Sequence, residues 1–546
     1  MSEPIYLDYA ATTPVDPMVA QLMGECLASD GDFGNAASAS HLFGRRAAAR
    51  IEAARAQVAA LIHAAPEEIV LTSGATESNN LAILGIARAS AHRGRHVLTS
   101  RIEHKAVLDP CRELQKEGFS VTYLSPDHSG SIAARAVEAA LRPETLLVSL
   151  MLANNETGVL QDLVAIGALC RARGVVFHSD GAQAVGKIAV DVRELPIDLL
   201  SLTAHKLYGP KGVGALYVRS AARALLKPVS FGGGQERGLR PGTLATHQVV
   251  GLGAACELAG QSQSVESARL AGLRDRLWHK LEALGKVHLN GEEAPRLPGL
   301  LSVSFEGVEG ESLVTGLPEL AVSTGAACNS ASGEPSYVLR ALGRDTQLAQ
   351  ASLRFSLGRF TTEADVDLAA SAVCREVRRL RDVSPLAWPM PAGAASPELP
   401  ARQSTSIAAV RPASDLSELA WELFATLPGA GPLSHAHASG AGTHVSGEAG
   451  SASEGTWVRF HLALEPGPSI ERGTVKDARF QAYGCPHTLA TAAWLTGRLR
   501  GRTREALVPG GPQDWMRALS VPIEKLGRLL IIEDALRACM QAWTGP

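Results

Sequence analysis

The first half of the chain alternates short, unbroken apolar runs with longer amphipathic stretches, and few folds satisfy that pattern. The runs fall at 68–72, 96–100, 121–125, 146–151, 175–178, 199–202 and 214–218, and Val, Ile, Leu and Thr dominate them. Continuous hydrophobicity marks strands covered on both faces, whereas a half-exposed strand would alternate apolar with polar residues. Between the runs, 47–61 and 163–173 carry the helical period and read as crossover helices. The expected class is therefore α/β, with a large, mostly parallel seven-stranded sheet.

From about residue 262 the pattern changes to a long helix at 265–284, a few strands and a helix at 363–380, which reads as a smaller α+β domain. Residues 383–400 are rich in Pro, Ala and Ser, a composition that suits an extended linker and cannot supply a core. A last segment, 413–543, has its own apolar periodicity and is long enough to fold alone. A chain of 546 residues exceeds one ordinary core in any case. The expected division is 1–382 (large domain 16–261, small domain 1–15 plus 262–382), a linker at 383–412, and a C-terminal α+β domain at 413–546.

Charge narrows the partners. A net charge of -3 gives no bulk attraction to nucleic acid or to anionic lipid. No apolar run approaches the ~20 residues that span a bilayer, and the N-terminus lacks the basic-then-apolar pattern of a secretory signal. The eight cysteines are scattered with no CxxC pair, so neither a zinc knuckle nor a disulfide framework is indicated, and a reducing cytoplasm is the simplest compartment.

Three segments carry chemistry. Lys206 follows the run 199–202 in Thr203-Ala-His-Lys206-Leu-Tyr-Gly-Pro-Lys-Gly212, where open α/β sheets place their ligands. A lysine there can form a Schiff base with an aldehyde cofactor, although the loop alone fits a surface lysine equally well. Asp180 ends the preceding run, where a carboxylate can keep a pyridine nitrogen protonated, or simply cap a helix. Ser73-Gly-Ala75-Thr76 opens a helix with amides suited to a phosphate.

Further segments, in order, are Tyr6-Leu-Asp-Tyr-Ala-Ala-Thr-Thr-Pro14, Gly34-Asn-Ala-Ala-Ser-Ala-Ser-His41, Glu103-His104-Lys-Ala-Val-Leu108, Asn154-Asn155-Glu-Thr-Gly158 and His178-Ser-Asp180-Gly-Ala-Gln183. Over residues 4–380 the set resembles the NifS/IscS-type cysteine desulfurases, fold-type-I enzymes that depend on pyridoxal 5'-phosphate (PLP). The resemblance implies that Lys206 holds the cofactor and Asp180 meets its pyridinium. It implies that Gln183 contacts the phenolic oxygen, that His104 stacks on the ring, and that Ala75, Thr76, Thr203 and His205 bind the phosphate. It also implies a homodimer in which Thr243 completes the neighbouring subunit's site. Pro241 and Thr203 stand where the family usually has Ser.

Cys328 lies in Ser323-Thr-Gly-Ala-Ala-Cys328-Asn-Ser-Ala-Ser-Gly-Glu-Pro-Ser-Tyr337, small and polar residues that suit an exposed mobile loop. Composition alone fits an ordinary surface thiol as well; the resemblance makes Cys328 the nucleophile that takes sulfur from L-cysteine as a persulfide. It gives Arg354 and Asn155 the substrate carboxylate, for which a guanidinium offers two parallel donors. Lys206 and His104 become the proton carriers. Rival readings are a selenocysteine lyase, a class-V aminotransferase or a non-catalytic docking protein. Aminotransferases need no cysteine loop, and a docking protein would be expected to lack Lys206, Asp180 or Cys328.

Trp421-Glu-Leu-Phe424, Asp477-Ala-Arg-Phe-Gln-Ala-Tyr-Gly-Cys485-Pro-His487 and Ile532-Glu-Asp-Ala-Leu-Arg-Ala538 resemble the U-type (IscU/NifU-N) iron–sulfur scaffolds. That family holds its cluster with three cysteines and an aspartate. Here Cys485 keeps one position, while Glu454, Thr456 and Arg528 occupy the others, and one thiolate is a poor holder of a cluster. The expectation is a degenerate scaffold without a metal. Either it accepts sulfur on Cys485 or it only docks.

Overall fold

The computed structural model describes residues 3–292, 294–324, 334–387, 415–433, 444–465 and 473–543. Its central sheet has seven strands in the order Ile69–Thr72, Gly214–Val218, Leu199–Thr203, Val176–Asp180, Thr145–Ser149, His96–Ser100 and Ser120–Leu124. All neighbours run parallel except Gly214–Val218, which is antiparallel to both of its partners. Every residue of six of these strands is buried, and only the edge strand Ser120–Leu124 is open to solvent. Helices on both faces explain the unbroken apolar runs.

The junction expected at 261–262 falls inside one continuous helix, Thr246–Glu282. Two of its glycines, Gly251 and Gly253, sit where neighbouring segments pack closely. A Cβ at Gly253 would lie 2.6 Å from Ala54 Cα on the helix Leu42–Leu61. The small domain is built on an antiparallel sheet of Ser323–Thr324, Ser352–Ser356, Leu300–Phe305 and Val287–Leu289. Ile5–Tyr6 pairs with Leu320–Ala321, so the N-terminus joins this domain. The helix Glu363–Val383 closes it, started by a Thr362/Asp365 capping box.

The C-terminal domain is a three-stranded meander, His444–Ser451, Thr456–Glu465 and Thr474–Tyr483. Helices Glu418–Thr426, Pro486–Leu499 and Leu526–Ala542 accompany it around Phe460, Phe480, Trp515 and Trp543, each at most 1% exposed. This core and that of the small domain form one apolar cluster. At the seam Ser312 Oγ donates to Gly484 O at 2.8 Å, and the Arg379 guanidinium lies 4.7 Å over the Phe424 ring. Among the described residues no helix is long and apolar enough to cross a membrane.

Candidate active site

Parallel neighbours bring the two decisive side chains together. Asp180 ends one strand in register with Ser201 of the next, and the turn Ala204–Lys206 begins where that second strand stops. Both side chains therefore reach the same sheet edge, at the carboxyl ends of the strands. There a cavity of about 540 Å³ is lined by Ala75, Thr76, His104, Asn155, Asp180, Gln183, Thr203, His205 and Lys206.

One wall is the N-terminus of the helix Ala75–Ala89. Gly74 precedes it at φ +152°, a conformation that favours glycine, and no side chain caps the first turn. The strand Gly214–Val218 also approaches so closely that a Cβ at Gly214 would lie 2.7 Å from Gly74 Cα. Uncapped amides beside Thr203 and His205 make an anion cradle. Burial, then the charge of Lys206, pushes the His205 imidazole down to about 4, so it is neutral there at pH 7.

The opposite end is held by carboxylate and amide. Asp180 Oδ2 accepts from Asn79 Nδ2 at 2.7 Å and Oδ1 from the Ala182 amide at 2.9 Å. Gln183 Nε2 donates to Ala10 O at 2.9 Å, and its Oε1 accepts from Lys187 Nζ at 2.9 Å. Burial, followed by the charge of Lys206, brings Lys187 down to about 7. His104 Nδ1 accepts the Ala106 amide at 3.1 Å, which leaves its proton on Nε2. Burial and Lys206 both hold this imidazole below its ordinary value. Asn155 Oδ1 is buried in the same cavity without a hydrogen-bond partner. An unsatisfied amide oxygen, an uncapped helix and a paired carboxylate fit an aromatic aldehyde bearing a phosphate.

Arg354 does not line this cavity. Its guanidinium donates to Asn155 O at 2.8 Å, to Asp8 Oδ1 at 2.7 Å and to Ser323 Oγ at 2.9 Å, while its Nε has no partner. Thr243 is exposed and away from the cavity of its own chain. Cys328 lies outside the described residues. Cys485 caps the helix Pro486–Leu499 and is fully buried, at the seam between domains. Four contributors had no signal of their own in the sequence. Asn79 lies one turn into the helix that Ser73-Gly-Ala75-Thr76 opens, and Lys187 resembles any surface lysine. Asp8 and Glu156 gain their roles only from contacts distant in sequence. Glu156, raised to about 7 by burial, accepts from Ser336 Oγ at 2.5 Å, just beyond the Cys328 segment.

Comparison with known proteins agrees with this geometry. The aminotransferase class-V family matches residues 5–368 and the NifU-like N-terminal domain matches 422–545. Cysteine desulfurase IscS of Pseudomonas aeruginosa (strain LESB58) is 56% identical over 390 residues, covering 71% of this chain and 96% of the relative. The Azotobacter vinelandii IscS is 57% identical over the same shares. The chain belongs to the cysteine desulfurase family. Among solved structures, a NifS-like protein superposes with TM-score 0.64 at 35% identity, covering 69% of this chain and all of its own. SspA in complex with cysteine gives 0.58 at 40% identity, covering 65% and 99%. The desulfurase's cofactor is PLP, as in its family.

The cluster site of the NifU-like domain is another matter. Thr456 is buried with an unpartnered hydroxyl, and Arg528 faces Cys485 with one guanidinium nitrogen unpaired. Glu454 ends the tight turn ahead of Thr456. These residues do not fit a cluster that needs about four ligands, mostly thiolates.

Proposed function

We propose that the chain converts L-cysteine to L-alanine and hands the sulfur, through Cys328, to an acceptor for iron–sulfur or other sulfur-carrier assembly. The observation that carries this reading is the single cavity in which Lys206, Asp180, His104 and the uncapped helix at Ala75 converge. PLP bound there supplies an electron sink for charge developing at the substrate Cα. Asp180, fixed by Asn79, keeps the pyridine nitrogen protonated, and Gln183, fixed by Lys187, donates toward the phenolic oxygen. Ala75, Thr76, Thr203 and His205 take the phosphate, and Lys206 anchors the cofactor.

Asn155 and Arg354 orient the substrate carboxylate, Arg354 being held ready by Asp8 and by the Asn155 carbonyl. Lys206 moves the Cα proton, and His104 Nε2 serves the substrate thiol. The Cys328 thiolate attacks the substrate sulfur. An S–S bond forms, the C–S bond breaks, and the carbon takes a proton, so thiol plus cysteine yields persulfide plus alanine without an outside oxidant. In a homodimer the partner contributes its Thr243, which is exposed and does not line the cavity of its own chain. The seven described cysteines are all free, in keeping with a reducing cytoplasm.

The test is alanine released from L-cysteine in the presence of reductant. Wild type should form it, and Cys328→Ser should not, while both show the visible absorbance of bound cofactor. Alanine from Cys328→Ser at the wild-type rate would remove Cys328 from the chemistry.

A further inference from the structure

The seam between the small domain and the NifU-like domain brings together three side chains that neither domain offers alone. Glu311 stands in the first turn of Gly310–Thr315, and Cys485 and His487 stand at the start of Pro486–Leu499. One carboxylate oxygen, the thiol sulfur and one imidazole nitrogen all lie within 4.8 Å of one another. Ser312 Oγ donates to Gly484 O at 2.8 Å, so residues adjacent to the ligands in both domains are already tied together.

A second observation points to something missing. His487 is 1% exposed, and neither of its ring nitrogens has a hydrogen-bond partner. Burying an imidazole unsatisfied on both sides is costly unless a group fills the space beside it. Asp415 Oδ2, 3.9 Å from Nε2, is too far for a hydrogen bond yet close enough to turn toward a shared ion.

We propose that Glu311, Cys485 and His487 form a site for a divalent transition metal of the zinc class, which ties the NifU-like domain to the desulfurase. Sulfur, nitrogen and carboxylate oxygen together select a borderline cation such as Zn²⁺, with Asp415 or water in the fourth position. Ligand atoms around tetrahedral zinc sit about 3.5 Å apart, so the side chains close by roughly 1 Å. Two charges oppose the ion. Lys525 now pairs with both Glu311 oxygens, at 2.8 and 3.0 Å, and must swing away. Burial pushes the Cys485 thiol up, and the Arg528 guanidinium that stays beside the sulfur offsets only part of that rise. Binding breaks the S–H bond of Cys485 and releases its proton to solvent. This is not the cluster site of the scaffold family: of its positions only Cys485 is shared, and Glu311 comes from the enzyme.

The test uses the full chain carrying Cys328→Ser, so that the catalytic thiol cannot bind metal. After chelator treatment, Zn²⁺ is titrated against a chromophoric competitor, and Co²⁺ is bound separately for its visible spectrum. One ion per chain is expected, with a thiolate-to-cobalt charge-transfer band and intense tetrahedral absorption. His487→Ala and Cys485→Ser should abolish binding, and Glu311→Gln should weaken it at least about tenfold, with far-UV circular dichroism unchanged. The proposal is overturned if the parent chain loses Zn²⁺ to the competitor, or if bound Co²⁺ shows no thiolate band. It is overturned equally if Glu311→Gln binds as tightly as the parent. The cobalt spectrum of the parent chain decides the matter even where a variant fails to fold.

Discussion

The chain carries two domains that match two families, and the residue types expected at each family's site are kept in one and replaced in the other. In the desulfurase cavity three groups with a proposed role have a neighbour that fixes them: Asn79 on Asp180, Lys187 on Gln183, the Ala106 amide on His104. In the NifU-like domain the meander, the helices and the aromatic core remain, while Glu454, Thr456 and Arg528 stand where a cluster needs ligands. A fold is held by buried apolar area spread over many residues, and a site by a few polar atoms. A site can therefore be dismantled without loss of the fold.

The largest expected effect tests the intact side. Lys206→Ala should lower alanine formation by about 10²–10⁴-fold, because a positioned proton carrier is lost along with the cofactor's anchor. Arg528→Leu, in the altered site, should leave alanine formation unchanged in the same chromatographic assay. Equal losses in the two variants would mean that the second site belongs to the enzyme's machinery after all. A second experiment tries to erase the difference. The triple variant Glu454→Cys, Thr456→Asp, Arg528→Cys restores the scaffold family's ligand types around Cys485. Supplied with iron and sulfide under reducing anaerobic conditions, it should gain the visible absorbance of a cluster, and wild type should not. If wild type gains the same absorbance, its site has not lost the function.

A smaller effect probes how far the two regions are mechanically one. Phe424 is fully buried, and its ring carries the Arg379 guanidinium from the small domain, which also donates to Phe424 O at 2.8 Å. Phe424→Ala should cost about 3–5 kcal/mol in denaturant unfolding. Because the apolar cluster is continuous across the seam, tryptophan fluorescence and cofactor absorbance should shift together. Separate transitions would show two independent units.

Much of this was legible in the sequence, for a physical reason. Strands buried on both faces must be apolar throughout, so 68–72, 96–100 and 199–202 announced themselves, and ordered motifs placed Lys206 and Asp180 at strand ends. What stayed hidden arises between distant segments. From sequence the long helix is expected to start at 265, but it begins at Thr246, and Gly253 inside it is glycine so that Ala54 can approach. Asp8 gives no sign that it will meet Arg354, nor Glu311 that it will meet His487. Pairings set by tertiary contact leave no local period to read.

The finest distinction between the two regions concerns a charge kept in check. Lys187 is half-buried near Lys206 and donates to Gln183, and its value falls from 10.5 in an exposed lysine to about 7. Below about pH 7 it is charged in the folded and unfolded states alike, and the fold bears the whole cost of burying an ammonium. Between about 7 and 10.5 the unfolded chain holds a proton that the folded chain has released. Unfolding then takes up a proton, so stability rises with pH across that window. Relative to Lys187→Met, which has no charge to bury, wild type should gain up to about 1.4 kcal/mol per pH unit there. Urea unfolding of both proteins at pH 6, 8 and 9.5 measures it. A difference that stays flat would mean that Lys187 remains an ammonium in the folded enzyme, and that Gln183 is held by a cation, not by a neutral amine.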